Sequence, residues 1–455
     1  MQTVRSVRSV SLRRSAEKSS VSGKARQTTL KPHVNAVRQV HSLRCLRPVS
    51  RGRTHISAVA VPAEPPSEAP VQGLPDDIIL SGLQGKALKI NEWPSKSELL
   101  GCIPKHCFKK DTVRSMYHAA VCTAMTVACG LIGYYLIPMK LAFAPVWAAY
   151  AAVTGTVATG CWVIAHECGH MAFSDNKILQ DTVGYILHTA LLVPYFSWQR
   201  SHAVHHSKTN HLSEGETHVP YVQGQKKGDG TMARREKFGD TIYGTVRLLT
   251  HLIFGWPAYL IAGATGGPVR GVTNHFLPFM GAEGKHKLFP GQWTAKVYWS
   301  DLGIVGFLGL LGYWAAQVGA AKVALVYGAP LCFTNIWLVL YTWLQHSDTD
   351  IPHYDGDDWN FVKGALCTVD RPYGAVLDFL HHRIGSTHVA HHVNSAIPHY
   401  HALEATNAIK AAYPDHYLYD PTPIGEAMWR VAVKCGAVAP YGDDGKWVFR
   451  QASPA

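Results

Sequence analysis

Four long apolar runs interrupt an otherwise polar chain, at residues 119–138, 141–165, 299–318 and 322–344. Each has about the 20 residues that a helix needs to cross ~30 Å of hydrocarbon. The first two contain no charged residue and are separated by Met139 and Lys140, which suits a tight turn. The pattern predicts two transmembrane hairpins, about 119–165 and 299–344, rich in the small residues that let helices approach closely in lipid. A hairpin returns the chain to its starting side, so everything between and after the two hairpins lies on one membrane face. Residues 183–196 are apolar but short and contain Pro194, which predicts a re-entrant or interfacial segment. Residues 221–240 are expected to form a polar loop. Residues 241–263 carry Arg247, His251 and Pro257 and are expected to form an interfacial helix pair. The fold class is therefore all-α and integral to the membrane, with four transmembrane helices and a polar, His-rich cap on one face.

The cap is where the chemistry collects. His166 and His170 stand four apart at the end of the second apolar run, in CWVIAHECGH. His202, His205 and His206 follow as H-x-x-H-H, and the pattern returns as His388, His391 and His392. Histidine is 26 of 455 residues, so an H-x-x-H-H is expected about 0.08 times by chance. On a helix, positions i, i+3 and i+4 share a face, so each cluster is expected to aim its imidazoles at one point. Neutral imidazole suits Fe, Cu and Zn. Eight clustered histidines exceed what one tetrahedral ion can use, and suit two ions that keep open positions for a small molecule such as O₂. A hydrogen-bonded collar at the membrane surface is the reading without a metal. Glu167, inside the first cluster, is expected either to orient a ligand histidine or to be a plain surface residue.

Charge changes the picture only at the N-terminus. Residues 1–63 hold 13 of the 43 Lys and Arg and one of the 31 acidic residues, leaving 30 of each sign in the rest. A general basic field for nucleic acid is therefore absent. The Arg- and Ser-rich, acid-poor stretch has the composition of an organelle transit peptide, plastid first and mitochondrion second. A Pro/Glu linker follows at 62–70. The expected organisation is a transit peptide at 1–63, a linker and soluble segment at 64–118, and the membrane domain at 119–455. The ten cysteines include no C-x-x-C pair and read as small buried residues in a reducing compartment.

HECGH, SWQRSHAVHH and GSTHVAHHVNSAIPHYHALEAT together resemble the three histidine boxes of membrane-bound acyl-lipid fatty acid desaturases. The likeness covers roughly residues 75–440. FSDNKILQDTVGYILHTALLVPYFSW, TWLQHSDTDIPHY and VDRPYG narrow it to the methyl-end group, the ω-6 (Δ12) and ω-3 enzymes. That resemblance implies a four-helix membrane bundle capped by a domain with two non-haem Fe²⁺ ions. It implies as ligands His166 and His170; His202, His205 and His206; and His388, His391 and His392. His346, just after the last transmembrane run, takes the place of a ninth ligand. His211, His218, His381, His382, His399 and His401 are expected to be hydrogen-bonding partners or surface residues. The second box has Ala203 and Val204 between its histidines, where plant relatives usually carry a basic residue or Thr, which bears on regioselectivity and donor contacts. The implied reaction is O₂-dependent desaturation of a lipid-linked acyl chain, ω-6 being favoured over ω-3. An acyl hydroxylase is the nearest rival, and a His-rich metal transporter is the alternative from another class. Neither an H-P-G-G haem signature nor a Rossmann glycine pattern occurs. The resemblance thus implies a separate electron donor, ferredoxin in a chloroplast membrane (the envelope first) or cytochrome b5 in the endoplasmic reticulum.

Overall fold

In the computed structural model, which describes residues 78–451, the apolar runs fold as long, strongly apolar helices. The expected transit peptide and the Pro/Glu linker lie outside the described residues. A short helix α1 (Lys96–Gly101) starts at Ser95, whose hydroxyl accepts from Glu98 N while the Glu98 carboxylate accepts from Ser95 N. That reciprocal cap satisfies two otherwise orphaned donors. The first hairpin is α2 (Thr112–Leu136) and α3 (Ala144–Gly169). Asp111 caps α2 by accepting from Arg114 N, and Pro145 opens α3, where its missing N–H costs nothing. Next come α4 (Lys177–Thr189), α5 (Tyr195–Ser207) and α6 (Lys226–Ala262). The second hairpin is α7 (Gln292–Val318), then α8 (Ala320–Val323) running through a π turn at Ala324–Gly328 into α9 (Ala329–His346). The cap ends with α10 (Phe361–Leu366), α11 (Gly374–Leu380), α12 (His388–Val393), α13 (His399–Ala412) and α14 (Ile424–Lys434).

Among the described residues, four spans are long and apolar enough to cross a bilayer, Thr112–Leu136, Leu141–Gly169, Gln292–Val318 and Ala320–His346. The two hairpins of the sequence are therefore present, but α2 and α7 each begin seven residues earlier than expected, at Thr112 and Gln292. Hydropathy marks where lipid contact begins, whereas the helical hydrogen bonds continue into the polar residues beyond it. The outer helices α2 and α7 leave Leu131, Ile132, Val305 and Leu310 exposed to whatever surrounds the protein, which for a membrane bundle is lipid. The inner helices α3 and α9 pack on each other through small residues. A Cβ at Gly155 would stand 2.4 Å from Pro330 O. Thr334 Oγ1 donates to Gly155 O at 3.1 Å, and Trp337 Nε1 donates to Thr156 Oγ1 at 2.8 Å.

Two expectations for the middle of the chain are corrected. Residues 221–240 are not a loop: from Lys226 onward they are the polar first part of α6. MARREK is made of good helix formers, and its lack of an apolar face hid it from a hydropathy reading. Nor do residues 241–263 form a helix pair. They are one helical stretch that starts beyond a kink at Gly239 (φ 70°), tolerates Pro257 and ends on Gly263 in the left-handed region. One element was not foreseen, a small sheet in which β1 (Tyr221–Val222) pairs parallel to β2 (Ala437–Tyr441), and β2 antiparallel to β3 (Lys446–Phe449).

The cap is locked by a buried ion network. Arg371, fully buried, pairs with Asp348 at 2.7 Å and with Asp420, while Arg430 reaches the same two carboxylates at 2.7 Å each. It joins the segment after α9, the VDRPYG stretch and α14. With each charge facing opposite charges, the burial that would otherwise be costly is offset.

Candidate metal centre

The helix ends deliver the histidines. His166 lies in the last turn of α3 and His170 caps it; His202, His205 and His206 come from α5; His346 ends α9; and His388, His391 and His392 come from α12. All nine converge, with His170 and His391 partly exposed and the other seven buried. They form two groups. His166, His170, His202, His206 and His391 have ring nitrogens within 4.8 Å of one another, and so do His205, His346 and His392. His388 joins the second group through His346, Nε2 to Nε2 at 3.1 Å. The groups abut where the rings of His206 and His392 stack at 4.1 Å.

This corrects one sequence expectation. The H-x-x-H-H clusters do not each aim at one point; both are split between the groups. At about 100° per residue, consecutive histidines such as His205 and His206 must diverge, while His202 and His206 stay within about 40°. One short helix can thus serve two adjacent points.

The chemistry of the nitrogens tests whether a metal fits. Thr209 Oγ1 donates its proton to His205 O at 2.7 Å, so His392 Nδ1, 3.1 Å away, must donate to that hydroxyl. His392 Nε2 is then a bare lone pair, buried and without a partner. His388 Nδ1 donates to Ile384 O at 3.1 Å, again leaving Nε2 unprotonated toward the centre. His346 Nε2 sits 3.1 Å from both His205 Nε2 and His388 Nε2, and one N–H could serve only one of them. His166 and His170 meet Nε2 to Nε2 at 3.2 Å, as do His202 and His206. Converging lone pairs repel unless cations lie between them, so the donor set fits two metal ions.

Burial keeps these rings neutral. It pushes His170 and His205 down to about 3 and His388 to about 4, and for His170 and His205 neighbouring imidazoles add to the effect. A neutral imidazole is the ligand form.

Sequence reasoning did not find the residues that hold these rings. Thr209 fixes His392, Thr217 Oγ1 lies 2.8 Å from His205 Nδ1, and Trp198 stacks on His202 at 4.4 Å. Only Thr209 carries a usable signal, since it stands four residues after His205 and can reach back to that carbonyl. Glu167 is not a surface residue, and the partner of its carboxylate is none of the nine histidines. It is buried, and its carboxylate accepts from the backbone and ring nitrogens of His399 at 2.6 and 2.7 Å. Of the remaining histidines, His211 pairs with Asp355 at 3.1 Å and His381 bridges Tyr341 Oη and Thr156 O. Both are hydrogen-bonding partners of other side chains or of the backbone.

The sequence matches the family model described as "Fatty acid desaturase" over residues 145–422. The chain belongs to the fatty acid desaturase family. It is 39% identical to the "Delta(12) fatty acid desaturase" of Mortierella alpina over 361 residues, covering 76% of this chain and 88% of that one. The "Delta(12)-fatty-acid desaturase" of Arabidopsis thaliana is 42% identical, covering 76% and 88%. The "Omega-6 fatty acid desaturase, endoplasmic reticulum" of Brassica juncea is also 42% identical, covering 75% and 87%. The desaturase is thus an oxidoreductase built into a membrane, and its histidine groups sit where its transmembrane helices end.

Beside the centre lies a cavity of about 1060 Å³. Phe238, Ile242, Val246 and Phe254 of α6 line it, with Lys226 and Arg234 at the polar end of the same helix. It shares His218 and Val219 with a smaller void bounded by His205 and His346. His218 and Val219 thus stand between the cavity and the second histidine group.

Proposed function

We propose that this desaturase inserts a Δ12 (ω-6) double bond, turning a lipid-linked oleoyl chain into linoleoyl, with two non-haem irons as its metals. The observation that carries the metal reading is the pairing of nine imidazoles into two groups whose ring nitrogens converge without protons to separate them. The Δ12 position is supported by the names of the relatives at about 40% identity. His166, His170, His202, His206 and His391 would hold one ion, and His205, His346, His388 and His392 the other. Bound iron supplies the activation of O₂ needed to oxidise an unactivated methylene pair. The chain's own share is to keep the imidazoles neutral, orient them through Thr209 and Thr217, and seat the acyl chain. The apolar wall of α6 suits the hydrocarbon, and Lys226 and Arg234 suit an anionic head group.

Electrons come from a separate donor in this reading. The acid-poor N-terminal 63 residues support a chloroplast membrane and ferredoxin. The relative named for the endoplasmic reticulum supports cytochrome b5 there as the second reading.

The test is fatty acid profiling of the full chain in a eukaryotic host that makes oleate but no polyunsaturates, with and without added linoleate. One arm relies on the host's cytochrome b5, and the other adds ferredoxin and its reductase. Linoleate from endogenous oleate is expected. α-Linolenate formed only on feeding linoleate would make it an ω-3 enzyme, and a hydroxylated acyl product would move it to the rival chemistry. The arm in which product forms identifies the donor. With the protein shown to be present, no new product in either arm would sink the desaturation reading.

A further inference from the structure

Away from the nine histidines, three more imidazoles meet. His118 comes from α2, His382 from the turn after α11 and His399 from the first position of α13, and their ring nitrogens lie within 4.8 Å of one another. The ring centroids are 4.5 Å apart for His118–His399 and for His382–His399, and 5.6 Å for His118–His382. Segments nearly 300 residues apart in the chain are brought together here.

Three observations mark this trio as more than packing. Glu167 Oε2 accepts from His399 Nδ1 at 2.7 Å, which fixes the tautomer and leaves Nε2 as a lone pair. That Nε2 is buried and has no partner, on a side chain only 8% exposed. A carboxylate on one ring nitrogen with the other left free is the arrangement that orients metal-binding histidines. His382 and Arg383 both hold left-handed backbone (φ 53° and 61°), a strained conformation for side chains of their size that the surrounding contacts must sustain. Gly160 leaves the room for it, since a Cβ there would stand 2.5 Å from Leu380 O.

We propose that His118, His382 and His399 form a third metal site, for a divalent ion of the zinc class, separate from the two histidine groups of the main centre. Three imidazoles suit zinc, with the fourth position open to a water or to Cys122 Sγ, which lies 3.0 Å from His382 Nε2. The ion ties the first transmembrane helix to the turn before the third histidine cluster. Through His399 it also braces Glu167, the neighbour of His166. The proposal does not depend on which acyl position is desaturated, or on the identity of the main-centre metals.

The test uses the full chain purified in detergent, loaded with iron, exposed to Zn²⁺ and dialysed, with zinc and iron counted by elemental analysis. Wild type is expected to retain one zinc per chain. His118→Phe, whose residue touches none of the nine histidines, is expected to retain none with its iron count unchanged. A half-exposed group, His106, Cys107, His401 and Glu404, could also take zinc, so His106→Ala serves as the control and is expected to keep the ion. X-ray absorption at the zinc edge of wild type needs no variant. It is expected to show nitrogen or oxygen neighbours at about 2.0–2.1 Å and no more than one sulfur, that of Cys122, at about 2.3 Å. Absence of zinc in wild type, full retention in His118→Phe, or more than one sulfur neighbour would each overturn the site. Iron content and fatty acid profile report on the desaturase reading independently.

Discussion

At the residue scale, function rests on how each imidazole is held as much as on its presence. Thr209 dictates the tautomer of His392 by giving its own proton to His205 O. Thr209→Val keeps the volume but removes both contacts, and removing such an orienting partner commonly lowers metal affinity or activity about 10–100-fold. The expected outcome is a drop of that size in product formation with normal protein levels, measured as fatty acid yield per chain. Glu216 is a second case. It is fully buried beside Tyr259, whose hydroxyl lies 2.6 Å from its carboxyl, and burial pushes it from 4.5 up to about 8. The folded state therefore binds a proton that the unfolded state releases. Its contribution to stability is full below about 4.5 and is lost as pH rises through about 8. Thermal unfolding in micelles across that range should show a falling Tm for wild type and a flatter profile for Glu216→Gln. Equal slopes would refute the assignment.

At the element scale, the α3–α9 contact sets where two sources of histidine end, His166 with His170 and His346. Gly155 is the closest approach, and a side chain there must displace Pro330 O or Phe333. Overpacking a tight contact of this kind costs about 1–3 kcal/mol, and more when backbone must move. Gly155→Val is therefore expected to lower both folded yield and iron content, because the two helix ends lose their register. Gly130, with nothing within 4 Å of an added Cβ, is the matched control, and Gly130→Ala should leave both readouts unchanged. The same logic explains why α5 and α12 can be short. Each needs only enough turns to present three histidines, because the long spans supply the rest.

At the scale of the whole molecule, the cap is stapled to the bundle by polar contacts as well as by apolar burial. Arg371 stands at the crossing of three chain segments, with Asp348, Asp420 and Arg430 around it. Removing one member leaves buried charges unpaired, at about 3–5 kcal/mol. Arg371→Ala is expected to abolish stable folded protein in micelles, read as loss of a monodisperse peak. Replacing Glu283, whose carboxylate is 74% exposed opposite Lys287, with Gln is expected to change little, since surface ion pairs contribute about 0–1 kcal/mol. The VDRPYG stretch, which helped place the chain among the methyl-end enzymes, thus earns its place by holding the cap together, not by touching the metals.

Hydropathy alone determined the two hairpins and the single membrane face, because lipid demands long uncharged helices and a hairpin can only return where it began. Spacing picked out the six histidines of the two H-x-x-H-H motifs, too rare to arise by accident, and with them His166 and His170 at the end of an apolar run; His346 came only from the resemblance to the desaturases. What the pattern could not carry was partition. Whether His205 sides with His202 or with His346 depends on where α9 ends relative to α5, and that is decided by packing between residues more than a hundred apart. Glu167 meeting His399, the polar half of α6, and the meeting of His118 with His382 were likewise settled only in three dimensions. Each depends on long-range contact, and local sequence holds no record of what will stand opposite.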